Sequence, residues 1–215
     1  MATTSGLSTL YRVPASEARR AGEVAARAFR DDPLFAALIP DRVTLRETLP
    51  HLFEFAIRYA IRYGEVYSTS ERLQGVTAWL PHDRVKIPLL RALRAGVLRL
   101  VSHVDLDILM KFLAMDVAVE EAHFRLADFP HWYLSLIAVE PDLQGQGIGS
   151  LLLKPMLARL DRELQPCYLE TQNPGNVSMY EHYGFRTLEE FLPDGGPAGW
   201  AMLREPRAYD RGFER

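Results

Sequence analysis

The sequence predicts an α/β fold: a mixed, mostly antiparallel central sheet flanked by helices, with a helical insertion between the third and fourth strands. Three patterns support it. Apolar residues recur at three- and four-residue spacing in several segments, the period of one helix face. Short runs rich in β-branched and aromatic residues fall in pairs early and late in the chain, as hairpins do. One further run, Trp132–Val139, is almost wholly apolar and reads as a strand buried on both faces.

In chain order, Tyr11, Arg12 and Val13 form a short extended start. Ser16 is a suitable N-cap for a helix carrying Ala18, Ala21, Val24, Ala25, Ala28 and Phe29 on one face. That helix stops at Asp31 and Asp32, because Pro33 disfavours helical geometry in the residue before it. A second helix is expected over 44–62, with Leu49, Leu52, Phe53, Ala56, Ile57 and Ala60 inward and Gly64 at its end. Residues 65–69 and 75–80 read as a hairpin, closed by Pro81. From 84 to 129 the period is helical again, in a segment longer than a hairpin link needs. After the strand at 132–139 come a glycine-rich turn and a helix to about 162, which Pro155 should kink. A strand at 167–171, a short helix at 176–183 stopped by Gly184, and strands at 185–189 and 200–204 close the chain.

Composition narrows the function. The 215 residues suit one domain over 1–215, with the helical insertion at about 84–129. A chain that is 48% hydrophobic and 25% charged has ample material for a core. A net charge of −3 argues against a chain-wide nucleic-acid footprint. The single cysteine, Cys167, excludes an internal disulfide framework and reads as a small core residue. His51, His82, His103, His123, His131 and His182 show no metal-ligand spacing along the chain, so no metal is expected. No apolar run approaches the length of a membrane span, and residues 1–10 lack the pattern of a secretory leader, so the expected compartment is the cytoplasm.

The segment from Gln144 through Gly145, Gln146, Gly147, Ile148 and Gly149 to Ser150 joins the apolar strand to a helix. Such a loop presents successive backbone N–H groups at a helix N-terminus, a seat for a pyrophosphate. A P-loop would need Lys and Ser or Thr after the last glycine, and Ser150-Leu151 stand there instead. A dinucleotide fingerprint would need a glycine at Ser150, although Glu170 lies where a ribose-binding acid belongs. A tight turn without a ligand is the third reading.

The run from Val139 to Gly149, with Gln144, Gly147 and Gly149 at fixed spacing, resembles the acetyl-CoA site of the GCN5-related N-acetyltransferases (GNAT family). Asn173 to Phe185, with Tyr180 and Gly184-Phe185, resembles that family's second motif, in the expected order and separation. Weaker likenesses at Asp32-Pro33, Trp79-Leu80-Pro81, Trp132-Tyr133-Leu134 and the strand at Tyr168 resemble the puromycin-acetyltransferase-like branch and spread over most of the chain.

The resemblance implies the GNAT fold and an acetyl-CoA-dependent N-acetyltransferase that moves an acetyl group directly to a primary amine of a small molecule. It implies that the amides of residues 144–150 hold the CoA pyrophosphate, and that pantetheine lies along Ile137, Ala138 and Val139, beside a splay from the strand at Cys167. A backbone N–H near Ile137 or Ala138 would face the thioester oxygen. Tyr180 would protonate the departing thiolate. Asn173 and Tyr183 are candidate cofactor contacts, with a turn-forming and a packing role as their alternatives. Glu170 is the first candidate for the base that deprotonates the amine, ahead of Glu140, Asp31 and Asp32. Two other functions stay open: a catalytically silent acyl-CoA-binding regulator and an enzyme that acetylates protein amines. The helices of 84–129 either wall the acceptor pocket, extend the core or form a homodimer contact.

Overall fold

The computed structural model describes residues 7–193 and 196–207. The leader reading therefore falls mostly outside the described residues. Among them, seven strands form one sheet in the order β1-β2-β3-β4-β5-β7-β6. They are β1 (Tyr11–Arg12), β2 (Glu65–Ser68), β3 (Gly75–Pro81), β4 (Trp132–Val139), β5 (Cys167–Thr171), β6 (Arg186–Phe191) and β7 (Gly199–Arg204). Every neighbouring pair is antiparallel except β4 and β5, which run parallel. The predicted mixed, mostly antiparallel sheet is the one observed.

On one face lie α1 (Ala18–Ala28), α2 (Pro33–Leu38) and α3 (Arg42–Tyr63). The small inner residues of α1 let it approach α3 at backbone distance. A Cβ on Gly22 would stand 2.6 Å from the backbone nitrogen of Glu54, which only glycine avoids. The helix α2 was not expected. Pro33 ends the first helix as read, but it also occupies the first turn of a new one, where a missing N–H costs nothing. The Asp32 carboxylate accepts the Leu34 N–H at 3.0 Å and caps that turn. Ser16 does not cap α1, whose first turn instead continues a 3-10 turn at Ala15–Glu17.

Between β3 and β4 the helical segment is broken into α4 (Leu89–Ala95), α5 (Val97–Val101) and α6 (Leu106–Leu126). Gly96, at φ 95°, makes the first break in a left-handed conformation that favours glycine. The other face of the sheet carries α7 (Ile148–Glu163), which runs on through Pro155, and the short α8 (Val177–His182). Leu153, Met156 and Leu160 of α7 are fully buried against Trp79, Cys167, Leu169 and Met202 of the sheet.

β4 does reach the core on both faces, as expected, but it does so through a bulge. Its register against β3 steps from Ala78–Leu136 to Trp79–Leu134, leaving Ser135 as an extra residue. That bulge reverses the alternation of faces. Leu134 joins the core under α7, whereas Leu136 and Ala138 join the core under α1 and α3. Tyr133, Ser135, Ile137 and Val139 remain only partly covered.

Asp161 of α7 accepts from Arg204 Nη2 of β7 at 2.8 Å and from the Arg207 N–H at 2.7 Å. Arg204 Nε donates to the Tyr183 carbonyl at 3.0 Å, so one buried guanidinium ties α7, β7 and the end of α8 together. Burial opposes ionisation of Asp161, but these donors outweigh it and hold its carboxyl below the usual range.

Leu160→Ala should destabilise the protein by about 2–5 kcal/mol, read as a lower urea midpoint at unchanged slope. The Asp161 contribution should be complete above its unfolded value near ~3.9 and disappear as pH falls through its lower folded value, so Asp161→Asn should flatten the acid limb of a stability profile.

Candidate active site

The site forms where β4 and β5 part. The two strands pair at Trp132–Cys167 and Tyr133–Tyr168, and their register goes no further, although β4 continues to Val139 and β5 to Thr171. The opening leads into a cleft of about 720 Å³. Ile137, Ala138 and Val139 form one wall, and Gln144, Gly145, Gly147, Ile148, Gly149 and Ser150 form the end. Asn173, Tyr180 and Tyr183 line the opposite side. Of the residues expected at a cofactor site, only Gln146 is not among the lining ones; its amide turns back to the Asp142 carbonyl at 3.1 Å.

The glycine loop is built for backbone donors. Gly145 and Gly147 have φ of 74° and 83°, and a Cβ on either would meet no atom within 4 Å, so the cleft side of the loop is open. Gly147 immediately precedes α7, which has no side-chain cap at its first turn. The unpaired N–H groups of that turn are left to a ligand or water. The Gln144 amide donates to the Val139 carbonyl at 3.2 Å, bracing the loop against the end of β4. Asn173 accepts the Gly175 N–H at 3.0 Å, so the turn-forming role holds while its body lines the cleft.

Tyr180 is 5% exposed, on α8, packed edge-on against Phe185. Burial pushes its phenol up, with Cys167 and Asp32 adding to the shift, so the O–H is retained at neutral pH. The same tyrosine lines a second cavity of about 250 Å³, together with Phe29, Asp32, Ile137 and Asn176. This second cavity extends away from the glycine loop to Phe112, Asp116 and Glu170. Tyr180 thus stands at the junction of a cleft that presents backbone N–H groups and a pocket that presents carboxylates.

Residues 107–187 match the family model described as an acetyltransferase (GNAT) domain. Those residues are thus similar to a GNAT acetyltransferase domain. An uncharacterized N-acetyltransferase of Schizosaccharomyces pombe is 26% identical over 180 residues, covering 81% of this chain and 72% of the relative. A solved structure described as histone acetyltransferase HPA2 and related acetyltransferase, from Corynebacterium glutamicum, aligns over 93% of this chain and 96% of its own, at 22% identity and a TM-score of 0.61. The polyamine N-acetyltransferase of Drosophila melanogaster aligns over 91% and 98%, at 15% identity and a TM-score of 0.56. Arylalkylamine N-acetyltransferase 2 of Aedes aegypti aligns over 92% and 98%, at 12% identity and a TM-score of 0.55. These structures share the fold. The family match and the yeast relative support an N-acetyltransferase.

In this site the candidate bases separate sharply. Glu140 is held by Arg27, whose Nε lies 3.0 Å away. Asp31 is held by Arg42 at 2.8 Å and Arg30 at 3.1 Å, which lower its carboxyl. Asp32 is committed to capping α2, and burial raises it in spite of that bond. Glu170 is neither a solvated strand end nor near the glycine loop, so the ribose-binding role is overturned. Its side chain is 2% exposed, lines the second cavity and approaches His123 Nδ1 at 3.3 Å. Cys167 is buried and its thiol is pushed far up by burial, the state of a core residue.

Several site residues had no signal in the sequence. Arg27, Phe29 and Arg30 come from the end of α1 to line the cleft. Phe112, Met115 and Asp116 come from α6 to line the second cavity. His82, His123 and His131, unremarkable by spacing, converge with ring nitrogens within 4.8 Å of one another. Among the described residues no helix is long and apolar enough to cross a membrane.

Proposed function

We propose that the chain transfers the acetyl group of acetyl-CoA directly to the primary amine of a small molecule with an apolar, aromatic-compatible body. The observation that carries this reading is the pair of cavities meeting at Tyr180. The larger has the glycine loop and the open edge of β4 that a pantetheine arm with its pyrophosphate needs. The smaller is lined by Phe29, Phe35, Phe53, Phe112 and Met115, with Asp32, Asp116 and Glu170 and with no lysine or arginine. Apolar walls with a few carboxylates suit an ammonium group on a hydrophobic body.

The groups take roles by position. Amides of 144–150 receive the pyrophosphate, beside Arg27 and Arg30, which line the same cleft paired with Glu140 and Asp31. Pantetheine lies along Ile137–Ala138–Val139 as an added strand does, filling the side of β4 that β5 leaves. A backbone N–H near Ile137 or Ala138 meets the oxygen of the tetrahedral intermediate. Tyr180 gives its proton to the departing thiolate, and Glu170 takes one from the amine. On this reading residues 1–215 form one acetyltransferase domain, and the helices of 84–129 wall the acceptor pocket through Phe112, Met115 and Asp116.

A small acceptor is favoured over a protein amine because the cavity holds about 250 Å³, the scale of a compact molecule. The named activities of the Drosophila and Aedes neighbours, on polyamines and arylalkylamines, support the same direction. The likeness to the puromycin-type branch, at Asp32-Pro33 and Trp79-Leu80-Pro81, adds to it. A silent regulator would not need a buried, protonated tyrosine at the junction.

Calorimetric titration should show acetyl-CoA binding, and thiol release with 2-phenylethylamine or tryptamine should show transfer. Binding without release on a broad amine panel would favour the regulator. Gly147→Asp should abolish acetyl-CoA binding in folded protein: its Cβ meets no protein atom, and aspartate tolerates positive φ better than most residues, so the loss comes from charge in the phosphate seat. Normal affinity would move the seat elsewhere. Tyr180→Phe should lower turnover by about 10²-fold or more, with acetyl-CoA affinity nearly unchanged. Retained turnover would remove Tyr180 from the chemistry.

A further inference from the structure

Glu170 is one end of a line of side chains buried behind the acceptor cavity. His123, on the last turn of α6, places Nδ1 3.3 Å from Glu170 Oε1 and Nε2 2.8 Å from His131 Nε2. His131, just before β4, places Nδ1 2.7 Å from the Phe129 carbonyl oxygen. Both histidines are buried.

The proton positions in this line are fixed by elimination. A carbonyl only accepts, so His131 Nδ1 carries a hydrogen and donates to Phe129. Burial, the largest influence, pushes His131 down to about 4, so at neutral pH its ring is uncharged and Nε2 holds a lone pair. That lone pair accepts the Nε2–H of His123. His123 is thereby locked in one tautomer, with a bare Nδ1 3.3 Å from Glu170, whose two buried oxygens have no hydrogen-bond partner among the described residues and are left for an incoming proton. The line ends at a carbonyl, so it does not conduct protons onward. It orients one ring.

We propose that Glu170 and His123 form a carboxylate–imidazole dyad, locked by His131, that takes up the proton lost by the acceptor ammonium. This deepens the transfer reading given above and rests on it. Glu170 faces the substrate and is its base; His123 and His131 are positioning residues, and His123 is also where the proton comes to rest. An N–H bond of the ammonium breaks and its electron pair stays on nitrogen. The proton passes to the Glu170 carboxylate and on to His123 Nδ1, forming an N–H bond there. The freed pair attacks the thioester carbonyl, the C–S bond breaks, and the thiolate takes the Tyr180 hydrogen. The second proton of the new amide nitrogen restores Tyr180. The dyad releases its proton to water once product leaves.

Charge favours this arrangement over a lone carboxylate. An ammonium beside ionised Glu170 sums to zero, and so does a neutral amine beside an imidazolium–carboxylate pair. The amine, Glu170 and His123 together never hold a net charge during the transfer, which avoids the largest desolvation cost for that group. The other groups facing Glu170 are Asp116 of α6, Tyr133 of β4 and Tyr168 of β5. Burial, with the charge of Glu170, raises both phenols, so they remain donors and cannot take the proton. Asp116 can. It is reachable from the cavity although walled by protein, and burial with Glu120 and Glu170 pushes it up to about 6. It is the rival proton carrier and needs its own variant.

The test compares kcat–pH profiles of wild type, His123→Asn, Glu170→Gln, the double variant and Asp116→Asn, with acetyl-CoA and 2-phenylethylamine or whichever amine turns over. His123→Asn should lower kcat at pH 7 by tenfold or more, change the acid limb, and leave KM for acetyl-CoA within twofold. The double variant should be no slower than Glu170→Gln alone, because the two residues act as one unit. Additive losses, or an unaltered acid limb in His123→Asn, would overturn the dyad. So would an acid limb lost only in Asp116→Asn. Nitrogen-15 NMR of the histidine rings tests the dyad without turnover, and so separates its failure from failure of the transfer reading. His131 should stay a neutral Nδ1–H tautomer to near pH 5, and Glu170→Gln should move the His123 Nδ1 resonance at fixed neutral pH. A His123 Nδ1 resonance indifferent to Glu170→Gln sinks the dyad. So does one equivalent of zinc held by His82, His123 and His131, since a metal between the Nε2 atoms would replace the lock.

Discussion

The site depends on one constraint in the sheet: β4 must be paired on one side and free on the other. The bulge at Ser135 meets it. Up to Tyr133 the strand lies flush with β5, and beyond the bulge it stays on β3 while its other edge opens. The Ser135 hydroxyl donates to the Ala78 carbonyl at 3.1 Å, which fixes the extra residue against β3 rather than leaving it to slide. Backbone donors and acceptors on the open edge then want a partner. An extended amide-bearing arm such as pantetheine supplies one, and no further side chain is required.

The rest of the fold serves that opening. The glycine loop closes one end of it, and α8 closes the other side. A six-residue helix has little stability of its own, so its position comes from what holds its ends. Gly184, at φ 92°, turns the chain directly after it, and Arg204 grips the Tyr183 carbonyl while paired with Asp161 of α7. Tyr180 therefore sits between two anchored points, and Phe185 packs its ring from the edge. A phenol held this way keeps its proton and its direction, which are the two properties an acid in the thiolate's path needs.

What was legible in the sequence was local. The apolar period of 18–29, the hairpin around 65–80 and the glycine spacing at 144–150 each depend on neighbours within a few residues, and each appears where it was expected. Pro33 shows the limit: the same residue that stops one helix starts another, and only the Asp32 cap decides. The bulge at Ser135 leaves no mark in an apolar run, because its cause is register with β3. The histidines show the limit most clearly. His82, His123 and His131 lie on three separate elements, so no spacing rule could join them. Their meeting follows from where α6 returns to the sheet, which is a tertiary fact.

On the proposed reading, that return also gives the helical insertion its purpose. A loop could cover the acceptor cavity, but it could not hold Asp116 and His123 in fixed relation. On α6 they are seven residues apart, two turns on nearly the same face, so one rigid element carries an acid toward the cavity mouth and an imidazole behind Glu170. The carboxylate of Glu170 comes from β5, whose backbone is fixed by pairing with β7. The 3.3 Å approach of Glu170 to His123 is thus shared between a strand and a helix, each held by its own packing. The apolar side of the cavity comes from Phe29 at the end of α1 and from α2, α3 and α6. On the proposed reading, selection of the amine and its deprotonation fall to different residues of one pocket.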